Sequence, residues 1–158
     1  DIDNGIATDA HGRTSDPHIW AAGDCASFPY NGSRVRLESV PNAIEQAEAV
    51  ADNIMGAQKG YLAKPWFWSD QYDVKLQIAG LSAGHNKVVT RGDPASEQFA
   101  LFYLDGDRLL ATDAINASPE FVFARKLIAA GARLNAGALE DTAIPMKTIA
   151  AEALAASS

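Results

Sequence analysis

The stretch EQFALFYLDGDRLLATDAI, residues 97–115, decides the fold. Two apolar runs flank Asp105-Gly106, a dipeptide favoured in two-residue hairpin loops because it tolerates positive φ. The pattern predicts antiparallel pairing of residues 97–104 with 107–115. Upstream, Val74, Leu76 and Ile78 alternate with Asp73, Lys75 and Gln77, the period of a half-buried strand. NKVVTRGDP, residues 86–94, is a further strand ended by Gly and Pro. Downstream, Ser118-Pro119 is expected to cap a helix with Phe121, Ala124, Leu127 and Ile128 on one side, stopped by Gly131. A last helix is expected over 146–155, fraying into Ser157-Ser158. An antiparallel sheet over 69–115 with helices packed on it is an α+β arrangement.

Composition limits what such a protein can do. The 158 residues are 47% apolar and 21% charged, the usage of a globular chain able to bury a core. A net charge of −7 argues against nucleic acid as partner, because a phosphate-tracking surface needs a basic excess. No apolar run approaches the 18 or so residues of a membrane span. The single Cys25 allows no internal disulfide and fits a reducing cytoplasm. His11, His18 and His85 are scattered without carboxylate spacing and do not resemble a metal site. The chain has no initiating Met and opens inside what reads as a strand and hairpin, the pattern expected of a piece of a longer polypeptide.

Residues 4–24 read as short strands and turns, with HIWAAGD as an apolar run ending at Gly23-Asp24. Residues 25–39 read as a loop around the Asn31-Gly32 turn. A helix is expected from Pro41 to the cap at Gly56, with Ile44, Ala47, Ala51 and Ile54 on its apolar side and Glu45, Glu48 and Asp52 on its wet side. AQKGYLAKP, residues 57–65, reads as a linker, dividing the chain into 1–62 and 63–158.

Three stretches could carry chemistry. A strand ending in Gly23-Asp24 would hold a carboxylate at the carboxyl end of a sheet, although Gly-Asp alone is also an ordinary turn. The helix beginning at Val40-Pro41 offers N–H groups and a partly positive dipole end, as most helix starts do. Trp66, Phe67 and Trp68 could plug a core, meet a partner or cover a flat ligand.

Taken together these stretches are more specific. TSDPHIWAAGD, residues 14–24, resembles the second FAD motif of flavoprotein reductases with two dinucleotide folds. RVRLESVPNAIEQA, PWFWSDQYD, KLQIAGLS, VVTRGDP and FYLDGDRLLATDAIN narrow the likeness. They resemble the putidaredoxin-reductase-like ferredoxin reductases that supply oxygenases and cytochromes P450, from about residue 4 to residue 150, in matching order. The resemblance implies an FAD enzyme passing electrons from NAD(P)H to a [2Fe–2S] ferredoxin. Gly23 and Asp24 would meet the ribityl hydroxyls, Val40 and Pro41 the pyrimidine end of the flavin, and Trp68 the isoalloxazine ring, with Trp66 a packing anchor. Pro65 and Ser69-Asp70 suggest a chain that turns just after Trp68.

Arg125 and Lys147 are candidate basic contacts for an acidic ferredoxin. On the 41–56 helix many members of that family carry a basic residue where this chain has Glu48. The Gly-rich loops for the FAD pyrophosphate and for NAD(P)H are not in this sequence, whose glycines never form G-x-G-x-x-G. The expectation is a C-terminal remnant of the FAD domain followed by the reductase C-terminal α+β domain, inactive alone and retaining no cofactor. Its partners would be a ferredoxin, the rest of the reductase chain and, by self-association, a second copy. Disulfide-reductase chemistry is disfavoured because no His precedes a Pro. A non-catalytic interaction or dimerisation module built on the residue 64–150 sheet is the other reading.

Overall fold

A computed structural model describes residues 1–156; the fraying end at Ser157-Ser158 lies outside them. The chain forms two compact units, Asp1–Pro65 and Trp66–Ser158.

In the second unit, strands β4 (Trp66–Gln71), β5 (Val74–Gly80), β6 (Lys87–Asp93), β7 (Gln98–Asp105) and β8 (Arg108–Ile115) form one sheet in the order β4-β5-β8-β7-β6. Every neighbouring pair is antiparallel. The predicted hairpin is present, but Asp105 pairs with Arg108, so the loop residues are Gly106-Asp107, one position later than expected. Gly106 has φ +62°, the conformation the turn demands of its first residue. Helix α2 (Ser118–Ala129) packs on β8 and β5, α3 (Ala136–Glu140) on β6, and α4 (Met146–Ala156) on α2. The short α3 has no counterpart in the sequence reading.

Register explains which residues meet the helices. Trp66, Ala79, Thr112, Phe102 and Val89 line up across all five strands, and Trp68, Gln77, Ala114, Ala100 and Arg91 form the next parallel row on the same face. Ala100 and Ala114 are fully buried, and their small side chains let α2 sit close. The first turn of α2 is tied to both flanks of that second row. Ser118 Oγ donates to Gln77 Oε1 at 2.8 Å, and Glu120 accepts from Arg91 Nε at 3.2 Å. Ser118 is therefore the first helical residue, with Ala117 at the N-cap; the expected serine cap is spent on the sheet instead.

In the first unit the expected strand ending at Gly23-Asp24 does not form. Residues Gly23–Cys25 are a single 3-10 turn, and β1 is only Ile6–Ala7. It pairs in parallel with β2 (Ala26–Tyr30), which follows the Gly-Asp turn and returns as β3 (Ser33–Val35) around Asn31-Gly32. What read as a loop over 25–39 is thus a hairpin. Asp24 stands at the amino end of β2 rather than the carboxyl end of a strand.

Helix α1 (Val40–Ile54) begins as expected but is rotated relative to expectation. Its buried side carries Asn42, Gln46, Val50 and Asn53, while Ile44 and Ile54 are 54% and 57% exposed. Ala47 and Ala51 are exposed as well. The polar buried residues have partners that outweigh apolar patterning. Asn53 Nδ2 donates to the carbonyls of His11 and Lys59 and its Oδ1 accepts from the Lys59 N–H, fixing the 57–61 segment. An unpaired buried amide costs more than an exposed isoleucine, so hydrogen bonding sets the helix face.

Candidate functional site

The aromatic edge of the second unit is built by strand alternation. β4 runs without interruption through Ser69-Asp70 and turns only at Tyr72, whose φ is +56°. The chain therefore does not turn after Trp68, and Trp66 and Trp68 share the helix-facing side with Phe67 opposite. Their rings stack, with centroids 5.3 Å apart and planes 27° from parallel. Trp66 continues inward to buried Phe121 on α2, ring to ring at 6.0 Å. Trp68 ends the stack and is 38% exposed. The inner ring is anchored and the outer ring presents a flat surface.

Arg125, one turn after Phe121 on α2, places its guanidinium 4.7 Å from the Trp66 ring centre and 5.6 Å from that of Phe121. Contacts of this kind contribute about 0.5–1 kcal/mol at exposed positions. Arg125 is solvent-exposed yet engaged, which a reading based on charge alone does not reveal. Lys147, the second residue of α4, is exposed.

In the first unit, Asp24 is exposed on its 3-10 turn, where its backbone carbonyl accepts from Arg36 at 3.1 Å. Gly23 is buried at φ +77°, held by an N–H···Oε1 bond of 2.8 Å to Gln46 on α1. At the start of α1, Ser39 caps the Asn42 N–H through its hydroxyl and the Ala43 N–H through its carbonyl. Pro41 is buried and has no N–H, so it shapes the first turn; Val40, half-exposed, carries the first helical N–H.

Taken one by one, the Asp24 carboxylate can accept from hydroxyls, the amino end of α1 can stabilise a negative partial charge, and the Trp68 indole can stack on an aromatic plane. Among the described residues no cluster of three or more His, Cys, Asp or Glu could hold a metal ion.

Arg91 went unrecognised in the sequence. It is 6% exposed and donates to Glu120, to the carbonyls of Leu139 and Asp141 (3.1 and 2.7 Å), and to that of Ile144 (2.7 Å). It locks the α3–α4 connection onto β6. The signal was present in the alternation: Arg91 has the same parity as buried Val89.

Residues 66–150 match the family described as Reductase C-terminal, and residues 1–47 match the pyridine nucleotide-disulphide oxidoreductase family. The chain belongs to the reductase C-terminal family. It is 44% identical to putidaredoxin reductase of Pseudomonas putida over 156 residues, 98% of this chain and 37% of that protein. It is also 44% identical to the ferredoxin–NAD(+) reductase component of the anthranilate 1,2-dioxygenase system of Burkholderia cepacia, over 94% of this chain and 37% of that protein. Among solved structures it is similar to the covalent putidaredoxin reductase–putidaredoxin complex, with TM-score 0.88 and 43% identity, covering 97% of this chain and 37% of that one. The chain thus spans just over a third of the length of these relatives.

Proposed function

We infer that this chain is the flavin-covering and partner-docking part of a reductase that passes electrons from NAD(P)H through FAD to a [2Fe–2S] ferredoxin serving an oxygenase or a cytochrome P450. The observation that carries the reading is the half-exposed Trp68 ring, stacked on an anchored Trp66 at the edge of a reductase C-terminal sheet. FAD, when bound, supplies the step between two-electron hydride chemistry and one-electron transfer. The chain's own residues orient it and keep water away. Asp24 accepts from ribityl hydroxyls on the Gly23-Asp24 turn. The amino end of α1, at Val40 and Pro41, favours the negative charge that reduction leaves on the pyrimidine edge, by roughly 0.3–2 kcal/mol. Trp68 covers the ring.

Lys147 and the outer side of Arg125 are the basic contacts assigned to an acidic ferredoxin. Alone, the chain is expected to be inactive, because it contributes no Gly-rich loop for a pyrophosphate. Among the described residues no helix is long and apolar enough to cross a membrane, and the exposed free thiol of Cys25 is compatible with a reducing cytoplasm. The test is to compare Trp68→Ala with Trp66→Ala in the full-length, flavin-loaded reductase: the first should weaken flavin binding, the second mainly stability.

One observation favours a second reading, an interaction module. Val40, Ile44, Ala47, Ala51 and Ile54 recur at steps of four and three along the exposed side of α1, the spacing of a helix-packing seam.

A further inference from the structure

We propose that Gln46 is a positioning residue that sets the Gly23-Asp24 turn, so that the Asp24 carboxylate is held ready for a polyhydroxyl ligand. The proposal rests on the flavin reading for the identity of that ligand, but not for the positioning itself.

Gln46 is 1% exposed in the middle of a helix whose outer side is apolar. Burying an amide there gains nothing unless it makes bonds that a hydrocarbon cannot. Two donors converge on its Oε1: the Gly23 N–H at 2.8 Å and the Asn42 side-chain amide at 3.4 Å. That convergence fixes which end of the amide faces the turn. Asn42 is fixed in its own right, since its Nδ2 also donates to the Leu37 carbonyl at 3.2 Å and its Oδ1 accepts from the Tyr61 hydroxyl at 3.2 Å. A relay of hydrogen bonds therefore runs from Tyr61 through Asn42 and Gln46 to the backbone of Gly23.

Gly23 needs that restraint. At φ +77° it occupies a region that glycine reaches freely and also leaves freely. A Cβ at this position would lie 3.4 Å from the Ala43 side chain and would be strained, so a bulkier residue cannot supply the rigidity. The hydrogen bond from α1 supplies it. Asp24 follows directly, and the bond therefore governs where its carboxylate stands.

The experiment uses the chain as it is, with amide hydrogen exchange followed by NMR and riboflavin as the probe ligand. In Gln46→Met the Gly23 amide should exchange about ten- to a hundredfold faster, while amides of β7 and β8 are unchanged. Gln46→Glu, which keeps an acceptor at the same reach, should restore protection. Riboflavin in large excess, which reports binding too weak to survive gel filtration, should shift the Asp24 amide signal in the unmodified chain and in Gln46→Glu, and not in Gln46→Met. Unchanged Gly23 exchange in Gln46→Met overturns the proposal, as does equal loosening in Gln46→Glu. Selective loosening of Gly23 with no riboflavin response in any form upholds the positioning and overturns the flavin reading instead.

Discussion

The Arg125 guanidinium lies 4.7 Å from the centre of the Trp66 ring, on an α2 helix whose first turn is hydrogen-bonded to both β5 and β6. A surface arginine is thereby made part of the scaffold of the tryptophan pair. Arg125→Gln should lower stability by only about 0.5–1 kcal/mol. Near-UV circular dichroism should nonetheless change clearly, since the Trp66–Trp68 pair loses the cation that seats its inner ring. An unchanged aromatic spectrum would contradict that role.

Arg91 is a buried polar anchor of the second unit, with four acceptors. Arg91→Met leaves the partly buried Glu120 without its cation and strips three backbone carbonyls of donors. A loss of about 3–5 kcal/mol is expected in urea unfolding followed through the tryptophans. Arg91→Lys should recover little, because one ammonium cannot span that set of acceptors. Full stability in the lysine variant would show that the fork geometry is irrelevant.

Two tyrosines predict alkaline lability. Tyr61 is pushed up to about 12 by burial and by Glu45, and Tyr103 to about 12 by its 2.6 Å hydrogen bond to Asp113 and by burial. A folded pKa above the unfolded value near 10 means the stabilisation is complete below pH 10 and lost as pH rises toward 12. Thermal midpoints should therefore fall over that window. Tyr103→Phe and Tyr61→Phe should each flatten the fall; an unchanged slope in both would contradict the cause given.

The order of elements in the second unit was legible because its sheet obeys period two and its hairpin and cap residues are strong local signals. The errors have a common origin. Local preference makes Ser118 a cap and Ser69-Asp70 a turn, but Gln77 recruits the serine and the β5 ladder carries the strand through Ser69. Apolar spacing in α1 pointed to Ile44 and Ile54, whereas the inward side is chosen by Asn42, Gln46 and Asn53, whose partners are distant in sequence. The site residues Asp24, Val40 and Trp68 came from motif resemblance. Gln46, bonded to the Gly23 N–H, and Arg125, over the Trp66 ring, meet their partners only in the folded chain.

Without Gly-rich loops the chain should not retain FAD. Mixed with excess FAD and passed through gel filtration, it should elute colourless, since its flavin contacts omit the pyrophosphate. Stoichiometric yellow flavin in the protein peak would contradict this.

The exposed seam of α1 predicts association. Sedimentation equilibrium should show concentration-dependent self-association of the chain that Ile44→Lys abolishes, with circular dichroism unchanged. A monomer at every concentration would remove the interaction-module reading.

The most direct test of the account is the comparison of Trp68→Ala with Trp66→Ala in the flavin-loaded reductase, measuring flavin affinity and thermal midpoint on the same samples. Trp68, half-exposed at the end of the stack, should cost at least about tenfold in flavin affinity with little change in midpoint. Trp66, packed on Phe121 and under Arg125, should lower the midpoint by several degrees with the smaller effect on flavin. Equal effects of the two substitutions on flavin affinity, or none from Trp68→Ala, would contradict the claim that this edge covers the flavin.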